Sequence, residues 1–401
     1  MKTLPYHFKF CDKKVTFNSE SIQPKEIPDK KLFKISEASL DVSGTCNMNC
    51  NYCAEKMTLP LRSPISKEML PEMIDIIFQW FSTSKKISIR IGSGEPLLQS
   101  KVVHEIGTRS RFLAQKSNQS LDLFLTTNGT LLNDSICKWL IDDNWNVKIS
   151  LDGSAQIHNQ NRGAGTFEKI EKYIRLFAIT IPEKFSTTSV LYHGIDPSDV
   201  FDNIAALGVK QIEMVPVAAE SASSFLLLEE DVEKYRIFIT NYVKRLSRGD
   251  SLPTLLRFLK KIQRVLGLRT SRVYCGAGRN FLIIGADGLI YPCYRFLGLE
   301  RFQIGSVTEG INEKSLFNFQ SNVAKPYDKH EKCRICWAAP LCGGACFANT
   351  ALLYSKDGEP PSTYCQLIKA ESEAAIWLVQ KLRKKNPERL IDILGLHLNN
   401  Y

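Results

Sequence analysis

Three cysteines stand at intervals of four and three residues in the stretch CNMNCNYC. They are Cys46, Cys50 and Cys53, with Tyr52 just before the last. Thiols this close together suit metal ligation. A structural zinc site closes with four ligands, whereas three thiolates on a cubane iron-sulfur cluster leave one iron free for a substrate or cofactor. The missing fourth thiol is then the functional feature. Seven further cysteines gather late in the chain, as CGAGRNFLIIGADGLIYPC (Cys275 to Cys293), CRICWAAPLCGGAC (Cys333, Cys336, Cys342, Cys346) and Cys365. Taken alone, Cys333, Cys336, Cys342 and Cys346 would also make a zinc module. Cys137 lies in a helical pattern and reads as core, and Cys11 has no evident partner.

Twelve cysteines in 401 residues, tightly clustered, favour ligation in a reduced compartment over disulfides. The N-terminal stretch MKTLPYHFKFCDKK has no continuous apolar run, and nothing approaches the length of a membrane span, so a cytoplasmic protein without a membrane partner is expected. At 44% hydrophobic and 23% charged, the chain suits a globular protein of two or more domains. The formal charge of +10 is scattered apart from KFCDKK and KLRKKNPER. No basic stripe interleaved with aromatics points to nucleic acid, and an acidic peptide partner fits the charge as well.

The elements that position these residues are legible as a β/α alternation. Apolar runs at 38–44, 86–92, 121–127, 146–153, 187–192 and 210–217 read as six strands. Leu70, Met73, Ile74, Ile77, Phe78 and Phe81 form one helical face between the first two. Similar patterns fill 101–117, 133–143, 167–180 and 196–207. Six such units favour a parallel sheet, doubly wound or curled toward a barrel. A helix near 229–248 and a second helical stretch to about 267 follow. A hairpin turning at Asp287 and Gly288 opens the cysteine-rich region, and a helix near 366–385 comes last. Cys46, Cys50 and Cys53 directly follow the first strand, at the sheet end where parallel α/β folds place their sites.

The spacing C-x3-C-x2-C with Tyr52 resembles the signature of the radical SAM superfamily. GSGEPLL resembles that family's Gly-Gly-Glu-Pro motif, with Ser93 at the first glycine. TTNGT (126–130) and ISLDG (149–153) fall at the ends of the third and fourth strands as the family has them, and HNQNRGAGTFEKI resembles its His-Asp-x-x-Arg segment with Asn159 for Asp. The resemblance implies a partial (β/α)6 barrel over residues 38–220, S-adenosylmethionine as cofactor, and a radical-generating 4Fe-4S cluster on Cys46, Cys50 and Cys53. Gly94, Glu95, Asn128, Ser150 and Arg162 are the implied cofactor contacts, with Arg162 forking onto the methionyl carboxylate. The implied chemistry is one-electron cleavage of the sulfonium to a 5'-deoxyadenosyl radical, which abstracts hydrogen from an unactivated carbon.

The later cysteines resemble the SPASM extension of radical SAM enzymes, which carries auxiliary clusters. Carried over by position, Cys333, Cys336, Cys342 and Cys365 hold one cluster, and Cys275, Cys293 and Cys346 hold a second with one position open or filled by a non-cysteine group. Three 4Fe-4S clusters are thus implied. The expected order is an N-terminal extension (1–37), the barrel (38–220), a helical bridge (221–274), and a small cysteine-rich iron-sulfur domain with a C-terminal helix (275–401).

Sulfatase-maturating relatives have a further cysteine soon after the Cys275 position and an acidic base right after the Cys293 position. Here Tyr294 and Arg295 follow Cys293. The better match is to maturases of ribosomally made precursor peptides, which cross-link, form thioethers, epimerise or excise. A maturase of a folded protein is the alternative, and a zinc-stabilised adaptor a lesser one. About 37 residues precede the first strand, few for a fused leader-recognition domain, so a separate leader-recognition protein is expected, with a flavodoxin or ferredoxin as electron donor. Tyr52, Tyr294 and Trp337 either line a substrate channel or pack the clusters. Asp152 and Glu213 are possible bases, Asp152 being also a plain turn residue, and the catalytic group stays unassigned.

Overall fold

The computed structural model describes residues 6–18, 35–220, 222–269, 271–354 and 359–398. Six parallel strands, β3 (Glu37–Leu40), β4 (Lys86–Ile91), β5 (Ser120–Thr127), β6 (Asn146–Ser150), β7 (Phe185–Leu191) and β8 (Gln211–Pro216), lie side by side in chain order. They correspond to the six runs read from sequence. A two-residue strand, β9 (Thr254–Leu255), extends the sheet beyond β8. On the other side β10 (Phe281–Ile284) pairs in parallel with β3, and β11 (Leu289–Tyr291), β12 (Gly305–Ser306) and β13 (Gly310–Ile311) follow antiparallel. The predicted hairpin is therefore β10–β11, and it continues the barrel sheet.

Alternation along the strands sorts residues between two environments. Ile87, Ile89 and Ile91 of β4, and Val147 and Ile149 of β6, are buried against the helices. Their neighbours Ser88, Arg90, Asn146, Lys148 and Ser150 face the lumen. Four helices cover the outside much as the periodicity predicts: α1 (Leu70–Trp80), α2 (Ser100–Lys116), α3 (Asp134–Asp142) and, after a short α4 (Ala155–Arg162), α5 (Thr166–Thr180). Helix α6 (Pro197–Ala205) follows β7. Asn133 caps α3 by accepting from the Ile136 N–H at 2.9 Å, and Asp196 caps α6 by accepting from Ser198 N–H at 2.7 Å.

Helices α7 (Glu229–Arg248) and α8 (Leu256–Val265) lead into the cysteine-rich region. There α9 (Glu313–Asn322), α10 (Glu331–Arg334), α11 (Ala339–Cys342) and α12 (Phe347–Leu352) are short. The long α13 (Ser362–Lys385) locks onto the bridge through buried Glu371, which accepts from Tyr235 Oη at 2.8 Å and pairs with Arg257 at 2.9 Å. A last helix, α14 (Pro387–Leu398), was not marked in the sequence. Nor was the hairpin β1 (Tyr6–Phe10) and β2 (Lys13–Phe17), which buries Phe10, Val15 and Phe17. Trp337 stacks on Tyr6 at 4.0 Å, so it anchors this hairpin and is absent from the cavity wall.

Candidate active site

The loop after β3 carries Cys46, Cys50 and Cys53. Burial, more than any other cause, raises all three thiols, Cys46 to about 11, and Cys46 feels both of the others electrostatically. Desolvated thiols become thiolates when a metal centre supplies positive charge, so the donor set fits an iron-sulfur cluster. Asn128 Nδ2 lies 3.9 Å from Cys46 Sγ and donates to Asn47 Oδ1 at 2.8 Å.

Gly94 and Glu95 hold the strand end beside this loop. A Cβ on Gly94, at φ +54, would lie 2.1 Å from the carbonyl oxygen of Thr45, whose oxygen accepts from Glu95 N–H at 2.9 Å. Only glycine allows this approach. The Glu95 side chain is fully buried. It accepts from Thr127 Oγ1 (2.6 Å), Asn128 N–H (2.7 Å) and Leu97 N–H (3.0 Å), tying β4 to β5, while burial raises its carboxyl. What Gly94 and Glu95 can offer a ligand is therefore backbone.

Ser93 has a use that spacing does not reveal. Its Oγ donates to Glu55 Oε2 at 2.6 Å and accepts from Arg62 Nη1 at 2.5 Å, and Glu55 Oε2 also accepts from Gly94 N–H at 3.2 Å. Arg62 further reaches the carbonyl oxygen of Tyr294 at 3.3 Å. One guanidinium thus links the first cysteine loop, the Ser93–Glu95 turn and the segment after Cys293. Neither Glu55 nor Arg62 was singled out from sequence, since a lone charged residue in a loop carries no pattern.

Arg162 ends α4 and is buried. Its Nε donates to Asp152 Oδ2 at 2.7 Å and its Nη2 to Oδ1 at 3.2 Å; burial opposes its charge, but Asp152 more than offsets this and the guanidinium is held further up. It also lies over the Tyr52 ring at 5.5 Å, and Tyr52 Oη donates to Asp152 Oδ2. Asp152 is thereby engaged as an anchor. Ser150 and Arg162 line the cavity; Gly94, Glu95 and Asn128 do not.

The later thiols fall into two groups. Cys293 feels Cys346 and Cys275, and Cys275 feels Cys346, while Cys333 and Cys365 each feel Cys342 and Cys336. Burial leads every one of these shifts, raising Cys275 to about 12 and Cys333 and Cys365 to about 11. Among the described residues, His193, Glu230 and Asp231 bring one ligand atom each within 4.8 Å of one another.

A cavity of about 2410 Å³ joins these parts. Cys50, Cys53, Ser150 and Arg162 line it, as do Cys275, Cys293, Cys346 and Tyr294; none of Cys333, Cys336, Cys342 and Cys365 does. The three-thiol set faces the lumen and the four-thiol set stands away from it. Within the lumen Lys148 Nζ reaches Glu213 at 2.6 Å and Lys260 Nζ reaches it at 3.4 Å, so the lysines, Lys148 foremost, hold the Glu213 carboxyl far below its ordinary value. A carboxylate so held is a poor proton acceptor. Tyr294, directly after Cys293, lines the cavity, and the next residue, Arg295, is buried and donates to Asn349 Oδ1 at 3.0 Å.

The Radical SAM superfamily profile matches residues 40–207. A cysteine-type anaerobic sulfatase-maturating enzyme of Clostridium perfringens is 25% identical over 329 residues, covering 76% of this chain and 86% of its own. Among solved structures, native anSMEcpe with bound AdoMet and Kp18Cys peptide superposes with a TM-score of 0.70 at 22% identity, covering 87% of this chain and 99% of that one. Streptococcus suis SuiB bound to precursor peptide SuiA gives 0.57 at 16%, covering 83% and 76%.

Proposed function

The chain is a radical SAM superfamily enzyme, and from that premise we propose that it matures a peptide, working on a segment threaded into the lumen between Cys50 and Cys53 on one side and Cys275, Cys293 and Cys346 on the other. The observation that carries this reading is that Cys50 and Cys53 of one thiol set and Cys275, Cys293 and Cys346 of another line one cavity of about 2410 Å³. Relatives whose solved structures hold a Cys-containing peptide or a precursor peptide support the substrate class.

Cys46, Cys50 and Cys53 would hold a 4Fe-4S cluster. Bound there with S-adenosylmethionine, it supplies a hydrogen-abstracting radical. The chain's own work is placement. Arg162, fixed by Asp152 and Tyr52, offers Nη1 to a carboxylate; Ser150 offers a hydroxyl; the Gly94–Glu95 backbone and Asn128 complete the cradle. Cys333, Cys336, Cys342 and Cys365 would hold a fully thiolate-ligated auxiliary cluster. Cys275, Cys293 and Cys346 would hold one with a position facing the substrate.

The sulfatase-maturating relatives favour a second reading, in which the segment belongs to a folded protein. Tyr294 stands directly after Cys293, where the sulfatase maturases have an acidic base, which weighs against formylglycine formation. Incubation of the anaerobically reconstituted protein with dithionite, S-adenosylmethionine and candidate peptides separates the two. Peptide-dependent 5'-deoxyadenosine with a mass change in a small precursor peptide supports the first. Oxidation of a central Cys or Ser in a sulfatase-derived peptide to an aldehyde supports the second.

A further inference from the structure

Fifteen Lys and Arg side chains against six Asp and Glu line the cavity, an excess nearly equal to the chain's whole formal charge of +10. Part of this excess faces the thiols that line the cavity: Arg162, Lys260 and Arg295 are the cations that lower them. The remainder collects elsewhere. Lys85 and Lys86 stand at the start of β4, and the Lys85 carbonyl oxygen accepts from Ser120 N–H at the head of β5. Lys184 immediately precedes β7. Arg279 precedes β10, beside Asn280, whose carbonyl oxygen accepts from Ser36 and Glu37 N–H at the head of β3. Arg279 Nη2 donates to the carbonyl oxygen of Ala324, next to Lys325. These groups therefore ring the N-terminal ends of the parallel strands, opposite the Cys50, Cys53 and Arg162 end.

Counter-charge there is outnumbered: Asp122 pairs with Lys86, Glu37 with Arg90 and Asp328 with Arg272, and Glu183 adjoins Lys184. Lys184 is half-buried and donates to the Asn144 carbonyl oxygen at 3.3 Å, and Arg279 is half-buried on the Ala324 carbonyl oxygen alone. Burial lowers both. An arriving carboxylate would be attracted by the ring and would relieve that desolvation.

Resting on the peptide-maturase reading, we propose that the substrate is an acidic peptide that enters through this basic mouth, its carboxylates held by Lys184, Arg279 and Lys325. A six-residue strand such as β4 spans about 20 Å, and an extended peptide rises about 3.3 Å per residue. The anchoring Asp or Glu therefore sits about five to seven positions from the residue modified at the other end.

The test uses the reconstituted holoenzyme with S-adenosylmethionine and three fluorescein-labelled 15-residue peptides of repeating Gly-Ser-Glu, Gly-Ser-Gln and Gly-Ser-Lys, followed by anisotropy. The Glu peptide should bind about tenfold tighter than the Gln peptide, a difference of about 1.4 kcal/mol, and lose most of that preference at high salt. Lys184→Glu/Arg279→Glu/Lys325→Glu should abolish the preference. The equal-charge variant Lys116→Glu/Lys314→Glu/Lys384→Glu, on exposed residues away from the cavity, should keep it within about twofold. Iron content and circular dichroism establish that both variants are folded. Equal binding of Glu and Gln peptides, or equal loss in both variants, overturns the proposal. So does a single-stranded 15-nucleotide DNA that outcompetes the Glu peptide at the same mouth, which would make nucleic acid the occupant. S-adenosylmethionine cleavage in the same samples tests the enzymatic reading separately.

Discussion

Arg162 grips Asp152 with two of its three nitrogens, Nε to Oδ2 at 2.7 Å and Nη2 to Oδ1 at 3.2 Å, and has no protein partner for Nη1 among the described residues. A lysine presents one nitrogen in place of the planar fork, so it cannot hold Asp152 at two points and keep a separate nitrogen aimed at a cofactor carboxylate. Arg162→Lys should raise the S-adenosylmethionine dissociation constant about tenfold, equal to about 1.4 kcal/mol. Asp152→Asn should weaken it as well and cost about 3 kcal/mol of stability by leaving the guanidinium buried and unpaired. Calorimetric binding and thermal unfolding read the two effects. Unchanged affinity in Arg162→Lys would remove this residue from the cofactor site.

Glu95 should behave as a structural tie. Its carboxylate accepts three hydrogen bonds, and an amide can accept only through one oxygen. Glu95→Gln should lower stability by about 1 to 3 kcal/mol, seen as a lower thermal midpoint. S-adenosylmethionine affinity at a temperature where the variant is folded should change little.

These two residues mark how far sequence reading reached. The six strands and the positions of Gly94, Glu95, Asn128 and Ser150 at or just beyond strand ends were legible, because alternation and motif order are local properties. The partners were not. That Glu95 spends its carboxylate on Thr127 and Asn128, that Asp152 is committed to Arg162, and that Ser93 joins Glu55 and Arg62 depend on contacts between residues 10 to 38 positions apart. Short α4, too brief for a periodic signal, was missed although it carries Arg162, as was the β1–β2 hairpin that fixes Trp337.

Ser93 stands at φ +82, a region that favours glycine. Ser93→Gly loses two hydrogen bonds but relieves the backbone, whereas Ser93→Ala loses them and keeps the strain. The alanine variant should therefore be the less stable by about 1 kcal/mol, measured by denaturant unfolding. The reverse order would mean that the backbone at Ser93 carries no strain for glycine to relieve.

His158 is fully buried, and burial first, then Arg162, lowers its pKa from 6.5 to about 4. The unfolded chain therefore takes up the proton before the folded one does. Its contribution is intact above about pH 6.5 and is lost as pH falls toward 4, the loss reaching about 2 kcal/mol at pH 5. His158→Gln should flatten the fall in thermal midpoint between pH 7 and pH 5. An equally steep fall would assign the acid sensitivity to other groups.

The central claim is that three thiol sets hold three iron-sulfur clusters, and metal content tests it most directly. Iron, sulfide and zinc per chain should be measured after anaerobic reconstitution, beside Cys46/Cys50/Cys53→Ala and Cys275/Cys293/Cys346→Ala proteins. About twelve irons in the wild type, falling to about eight in each variant, is the predicted result. One zinc with about four irons, all lost in the Cys46/Cys50/Cys53 variant, would contradict it and make the C-terminal thiols structural.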